Sequence, residues 1–454
     1  RAVIYALMFG PFFSMFDSGM VNVGLPVMAR DLHASLQDVQ WIASIYLLTM
    51  SALLPILGSL ADRWGRGRMY NLGFFTISLF TLACGFAPNL GFLLLFRVLQ
   101  AVGGAMVMAN GMAIATENSA PRERGRNLGL LASMMAVGSL AGPSIGGFVI
   151  GLWAWRVAFY LTFGISFAAF ATTFFTIPKH KKERHPHRFD VSGALLVTLV
   201  IFASVYGLSA LGGKDATGIP AWLALGAGLL SCVLLVAVER RHPHPLLVLD
   251  LFKNLTFRSS LLTSLISFST MYAPTILIPF YLQATLGLAP QVAGLYLLAF
   301  PLAMFVLSPV SGYLSDHWGS RPLVMLALAL NGAALTFFGC IEPSMPDWII
   351  LVPLFVMGIG LGLFQSPNNS AAMGSVPQAN LGSANGILQL VKNLGMVLGM
   401  TASTVSFAAV MAGRSLTDRA SFLEGSRYVY WGAAVLSFAG VWVASWRPHK
   451  NPKN

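Results

Sequence analysis

The 454-residue chain has little charge: Asp, Glu, Lys and Arg together make up 10% of it, against 56% hydrophobic residues. A chain of this length so poor in charge cannot clothe a soluble surface, which leaves a polytopic membrane protein. Cysteine is scarce as well. Cys84, Cys232 and Cys340 all sit in apolar stretches without paired spacing, so neither a disulfide framework nor a metal site follows. His180, His185, His187, His242 and His244 alternate with prolines and charges between apolar stretches and read as solvated. Acid is scarcest where the chain is most apolar, for only Asp17 of the 16 Asp and Glu lies deep within an apolar run. No nucleophile and base constellation appears, so an enzyme is not expected. No cleavable signal sequence is read, and a chain opening at Arg1 leads to the expectation that further residues precede it.

What is present is a succession of apolar windows, each near the roughly 20 residues a helix needs to cross a bilayer. They fall at 5–27, 39–59, 70–88, 91–115, 128–150, 157–177, 191–211, 221–238, 259–284, 291–311, 323–341, 348–370, 384–411 and 428–446, fourteen spans in all. The net charge of +12 would admit a nucleic-acid partner, but its placement argues otherwise. With both termini cytoplasmic, 20 of the 28 Lys and Arg lie in the inside loops and tails and six in the outside loops. That is the positive-inside pattern, so the basic charge orients the chain in a plasma membrane and need bind nothing.

An internal repeat runs through the windows. Gly58-x-Leu60-x-Asp62-x-Trp64-Gly65 recurs as Gly312-x-Leu314-x-Asp316-x-Trp318-Gly319, and Gly125, Gly129, Gly138 and Gly142 recur as Gly382, Gly386, Gly395 and Gly399. The repeat predicts two six-helix bundles, 1–178 and 259–454, separated by a two-helix insert with its cytoplasmic linkers at 179–258.

The fifth window carries the densest signal: Gly129, Gly138, then Gly142-Pro143-x-x-Gly146-Gly147. Glycines at this spacing let a helix lie backbone to backbone against a neighbour, and the proline removes one ladder hydrogen bond. The string resembles the antiporter motif of drug:proton antiporters in the major facilitator superfamily. Gly58 to Arg68 resembles that superfamily's signature loop, departing at Gly67 where a basic residue is usual. Phe16-Asp17-Ser18-Gly19-Met20-Val21-Asn22-Val23-Gly24-Leu25-Pro26 resembles the first-helix motif of the fourteen-helix branch, with Gly19 and Gly24 in place of Thr and Ala. Leu93-x-x-x-Arg97-x-x-Gln100 followed by Gly103-Gly104-Ala105 is similar to the fourth-helix motif, with Ala101 replacing a glycine.

The resemblance implies an all-α integral membrane protein of the major facilitator fold, two six-helix bundles plus two extra helices. It also implies a multidrug-efflux type of proton antiporter, exporting hydrophobic or amphipathic compounds by alternating access, with a substrate site near the bilayer midplane. A lipid or anionic-amphipath transporter on the same scaffold is the alternative. Asp17 and Arg97 each sit roughly 10 Å inside the external face at about 1.5 Å rise per residue, close enough in depth to meet. Burial favours the neutral acid and a nearby guanidinium favours the carboxylate, so their separation would decide whether Asp17 holds a proton. A fixed salt bridge is the other reading. Glu117, at the cytoplasmic end of its window, reads as a solvated cap.

In this fold the first, fourth, seventh and tenth helices line the cavity. That brings in Phe13, Met106, Asn110, Tyr272, Tyr281, Phe364 and Gln365 as a deformable aromatic and weakly polar surface. Lys392, roughly 12 Å from the cytoplasmic face by the same rise, is counted with the cavity residues; it either snorkels or makes a structural contact, or it serves coupling or binds an anion. Because the seventh and tenth helices add no acid, neutral, zwitterionic and anionic amphipaths carry at least the weight of cations. Gating is assigned to Gly58, Asp62, Arg63, Gly65 and Arg66 of the signature loop, with Asp62 against the start of the eleventh helix. It is also assigned to Gly138, Gly142, Pro143, Gly146 and Gly147, expected against a helix of the other half. No cofactor beyond the proton gradient is expected; the partners are the small amphipathic or lipid-like substrate, protons and membrane lipid, not nucleic acid, and the chain is expected to act as a monomer in the bacterial inner membrane.

Overall fold

The computed structural model describes residues 2–119, 123–177, 191–210, 220–240, 249–377, 380–411 and 414–447, and the regular structure among them is helical. A chain passing through hydrocarbon must satisfy each backbone N–H and C=O internally, which the helix does within one segment. In order come α1 (Ala2–Leu7), α2 (Phe9–Asp31), α3 (Leu36–Trp64), α4 (Arg66–Gly85), α5 (Leu90–Glu117), α6 (Arg124–Leu152), α7 (Trp155–Thr176), α8 (Val191–Ala210) and α9 (Ala221–Glu239). They are followed by α10 (Leu255–Phe280), α11 (Pro290–Leu297), α12 (Ala299–Trp318), α13 (Ser320–Gly339), α14 (Leu351–Gly374), α15 (Leu381–Met411) and α16 (Arg419–Ser445). A π-helical turn, Tyr281–Thr285, extends α10.

Among the described residues, eleven helical spans are long and apolar enough to cross a membrane, fewer than the fourteen windows read from the sequence. Helices α3, α4 and α8 fall outside that set. Helix α4 opens on Arg66 and Arg68, and the apolar part of α8 is only the shorter stretch Leu195–Ala210.

Local chemistry sets the ends. Ser35 and Asp38 form a capping box at the start of α3, with the Asp38 N–H donating to Ser35 Oγ at 3.2 Å and the Ser35 N–H donating to Asp38 Oδ2 at 3.1 Å. Asn89 and Asn254 cap α5 and α10 through their side-chain oxygens. The two repeat copies end alike. Gly65 (φ 98°) separates α3 from α4 and Gly319 (φ 79°) separates α12 from α13, each at a backbone angle that favours glycine.

The chain divides into two compact units, Arg1–Thr198 with Ala289–Leu295, and Leu199–Leu288 with Tyr296–Asn454. Inside the first, α2 packs on α6, α4 on α5, α3 on α5 and α4 on α7. Inside the second, α10 packs on α15, α13 on α14, α12 on α14 and α13 on α16. These are the same four pairings in the same order, the spatial counterpart of the sequence repeat. Since lipid is as apolar as a leucine side chain, close approach of small residues is what holds such pairs. A methyl group on Gly103 would stand 2.6 Å from the Gly73 carbonyl oxygen, so α4 and α5 meet backbone to backbone.

Candidate functional site

The only acid deep in an apolar window lies at the centre of a four-helix polar cluster in the first unit. Asp17 of α2 and Arg97 of α5 are each 1% exposed, and Arg97 Nη1 donates to Asp17 Oδ2 at 2.8 Å. Gln100, one turn along α5 on the same face, accepts from the same Nη1 at 2.8 Å. Its Nε2 donates to Asp17 Oδ1 at 3.3 Å and to Thr81 Oγ1 of α4 at 2.8 Å. Arg97 Nε donates to the Ile42 carbonyl of α3 at 3.0 Å, and the guanidinium lies 4.5 Å from the centre of the Tyr46 ring. Burial makes the pair costly to break: removing one partner of a buried ion pair costs about 3–5 kcal/mol.

The geometry carries a chemical consequence. Each Asp17 oxygen accepts from a donor, Oδ1 from Gln100 and Oδ2 from Arg97. A proton arriving on either oxygen takes up one of its lone pairs and removes the negative charge that draws the guanidinium, so protonation weakens the present arrangement. Asp17, Arg97 and Gln100 belong to motifs visible in the sequence. Thr81, Tyr46 and the Ile42 carbonyl do not, and carry no sequence signal of their own.

Helix α6 presses its glycines on α2 around Asp17. A methyl group on Gly142 would stand 2.7 Å from the Phe16 carbonyl oxygen and 3.1 Å from Gly19 Cα, and one on Gly146 would stand 2.7 Å from Met20 Cγ. Gly138 faces the Phe12 carbonyl, and Pro143 Cδ would be 2.6 Å from a methyl on Gly19. The neighbour of Gly138, Gly142 and Gly146 is therefore α2 of their own unit. Gly147 faces elsewhere: its added methyl would stand 2.5 Å from the Pro290 carbonyl oxygen and 3.2 Å from Gly294 Cα, in the 289–295 segment grouped with the first unit. The repeat copy behaves like the first: Gly395 and Gly399 of α15 lie against the Leu265 and Ser269 carbonyls of α10.

Of the signature loop, Gly65 makes the turn and Gly58 approaches Ala109. Arg66 Nη1 pairs with Glu117 Oε1 at 2.9 Å, so Glu117 is in an ion pair at the α4 and α5 ends. The side chains of Asp62 and Arg63 lie outside the described residues, as do His180, His185, His187, His242 and His244.

The residues assigned to the substrate surface fall into separate settings. Phe13 is buried in the packing of the first unit, with Tyr70 and Phe74. Met106 is half-buried, and Asn110 spends its amide on the Met106 carbonyl at 2.8 Å. In the second unit Tyr281 meets Phe422 at a tilt, ring centres 5.3 Å apart, among Ile278, Phe338 and Tyr430, while Tyr272 and Gln365 are half-buried. Phe364 meets Phe268 edge to face, ring centres 6.5 Å apart, and Lys392 Nζ stands 5.7 Å from the Phe268 ring centre and donates to Asn369 Oδ1 at 2.9 Å. One cluster was not legible beforehand. Arg447, counted in sequence as a cytoplasmic loop charge, is 2% exposed and donates to Asn368 Oδ1, Thr263 Oγ1 (2.8 Å) and Ser259 Oγ (3.3 Å).

A family profile described as Major Facilitator Superfamily matches residues 7–400 and 259–454, and the chain belongs to that superfamily. The protein is a membrane-embedded, multi-pass transporter of this class. It is 28% identical over 441 residues to the riboflavin transporter RibZ of Clostridioides difficile, covering 97% of this chain and 95% of that one. It is 29% identical over 393 residues to the multidrug resistance protein Stp of Mycobacterium tuberculosis, covering 86% of this chain and 72% of Stp. The crystal structure of the peptide transporter POT in complex with sulfate shares the fold at a TM-score of 0.72 and 16% identity, covering 98% of this chain and 94% of that one.

Proposed function

We propose that the chain is a proton-coupled antiporter of the fourteen-helix drug:proton type, exporting hydrophobic or amphipathic compounds by alternating access. The buried Asp17–Arg97 pair, with both carboxylate oxygens occupied by donors, carries this reading. The ionised Asp17 ties α2 to α5 and, through Gln100 and Thr81, to α4. A proton entering from outside discharges Asp17, weakens its bonds to Arg97 and Gln100 and frees α2 to shift against α5. Release of that proton inward restores the pair. Because α6 rests on the α2 backbone on either side of Asp17, the shift is passed to Gly138, Gly142 and Gly146, and from Gly147 to the Pro290–Gly294 segment. The names of Stp and RibZ, a multidrug resistance protein and a riboflavin transporter, fit a small organic cargo. On this reading the site is the monomer's own, the membrane is the bacterial inner membrane and the termini are cytoplasmic.

The test is uphill transport in proteoliposomes with an imposed pH gradient. Asp17→Asn keeps the shape and most hydrogen bonds but cannot exchange a proton, so it should lose gradient-driven export while retaining substrate exchange at equal pH. Full gradient-driven export by Asp17→Asn would remove Asp17 from the mechanism.

A further inference from the structure

Two cations are buried inside the second unit, Lys392 (5% exposed) and Arg447 (2% exposed). Among the described residues neither pairs with a carboxylate; their partners are the neutral oxygens of Asn369, Asn368, Thr263 and Ser259. The pair of asparagines follows Pro367 on α14, so one turn of one helix grips both charges. Asn368 is fully engaged. Its amide nitrogen donates to Ser264 Oγ at 2.7 Å and to the Ser260 carbonyl at 3.2 Å, while its oxygen receives Arg447 and Thr263. Arg447 thus acts as a positioning residue that holds this turn of α14 and, with it, Asn369.

Arg447 leaves its Nη1 without a partner among the described residues, and the Lys392 ammonium is under-coordinated as well. It has three N–H donors and, among the described residues, one hydrogen bond, to Asn369. A snorkelling lysine would leave its ammonium in water, which 5% exposure rules out. The remaining contact is the face of Phe268, whose ring stands nearly perpendicular to that of Phe364. A buried ammonium with two idle donors costs free energy until an anion supplies the missing acceptor, and the adjoining rings of Phe268 and Phe364, 3% and 1% exposed, are the apolar groups an aromatic body entering beside it would meet.

We propose that Lys392, Asn369, Phe268 and Phe364 form a subsite for aromatic amphipaths bearing an anionic group, a carboxylate, sulfonate or phenolate that takes the idle ammonium donors. This rests on the exporter reading above and narrows its cargo. A permanent cation is rejected here by like charge, and a neutral analogue forgoes one charge-assisted hydrogen bond.

Equilibrium binding to the purified full chain in phosphatidylcholine nanodiscs tests this, with no gradient imposed. The probes are 1-pyrenebutyrate, its methyl ester and the corresponding pyrenebutyl trimethylammonium. The carboxylate should bind about tenfold to a hundredfold more tightly than the ester, the range expected of a hydrogen bond to a charged group, and the ammonium least. Lys392→Gln should bring carboxylate and ester to one affinity, and Lys392→Arg should keep the preference. Equal affinities for carboxylate and ester in the wild-type protein overturn the subsite, whether or not Lys392→Gln folds, and so does a preference that survives Lys392→Gln. Displacement of all three probes alike by added phosphatidylglycerol would assign the ammonium to a lipid headgroup and overturn it too. Loss of proton coupling in transport leaves these ratios untouched, so the two readings fail separately.

Discussion

Two substitutions of identical chemistry in α6 should have opposite effects. Replacing glycine by alanine inside a helix contributes about 0.5–1 kcal/mol of stability from the loss of unfolded-chain entropy, and both Gly129→Ala and Gly142→Ala gain it. At Gly129 the new methyl has no atom within 4 Å, so the gain stands. At Gly142 the methyl lies 2.7 Å from the Phe16 carbonyl oxygen, and ordinary contact begins at 3.4 Å, so α2 must back away by about 0.7 Å. Overpacking of this kind costs about 1–3 kcal/mol, which offsets the entropy gain and leaves a net loss of up to about 2.5 kcal/mol. The displaced residue is the neighbour of Asp17, whose bond from Gln100 is 3.3 Å long, so the shift disturbs the Asp17 cluster. Gly142→Ala should therefore lower the unfolding midpoint in detergent and weaken gradient-driven transport together. Gly129→Ala should hold or raise the midpoint and leave transport alone. If the two variants matched each other in both assays, the close approach of α6 to α2 would not be what these glycines are for.

In the second unit, Asn368→Leu should destabilise by about 1.5–3 kcal/mol for the lost bond to the charged Arg447 alone. Asn368→Asp gives Arg447 a carboxylate and should be milder; equal unfolding midpoints for the two would show that the charge of Arg447 is not what Asn368 serves. Gly147→Leu should push on the Pro290–Gly294 segment and raise amide exchange across α11, while Gly146→Leu should act on α2 at Met20 instead. Identical exchange patterns for these two variants would contradict the split of the ladder between two neighbours.

Much was legible along the chain because it is local or periodic. The repeated Gly-x-Leu-x-Asp-x-Trp-Gly string ends each copy in a positive-φ glycine between two helices, and a left-handed turn is a property of a few adjacent residues. The spacing of Gly138, Gly142 and Gly146 announces a face that admits a backbone, since small residues at i and i+4 share one side of a helix. The rarity of acid in apolar windows singles out Asp17, because each buried charge is expensive. What the spacing does not contain is the identity of the neighbour. Whether the ladder met α2 or another helix, whether Gln100 reached both Asp17 and Thr81, and whether Lys392 snorkelled or stayed buried beside Asn369 depended on helices brought together from distant parts of the chain. Arg447 shows the limit most plainly. By position it is a loop charge just past α16, yet tertiary packing draws it among α10 and α14, where Ser259, Thr263 and Asn368 supply oxygens to its Nε and Nη2.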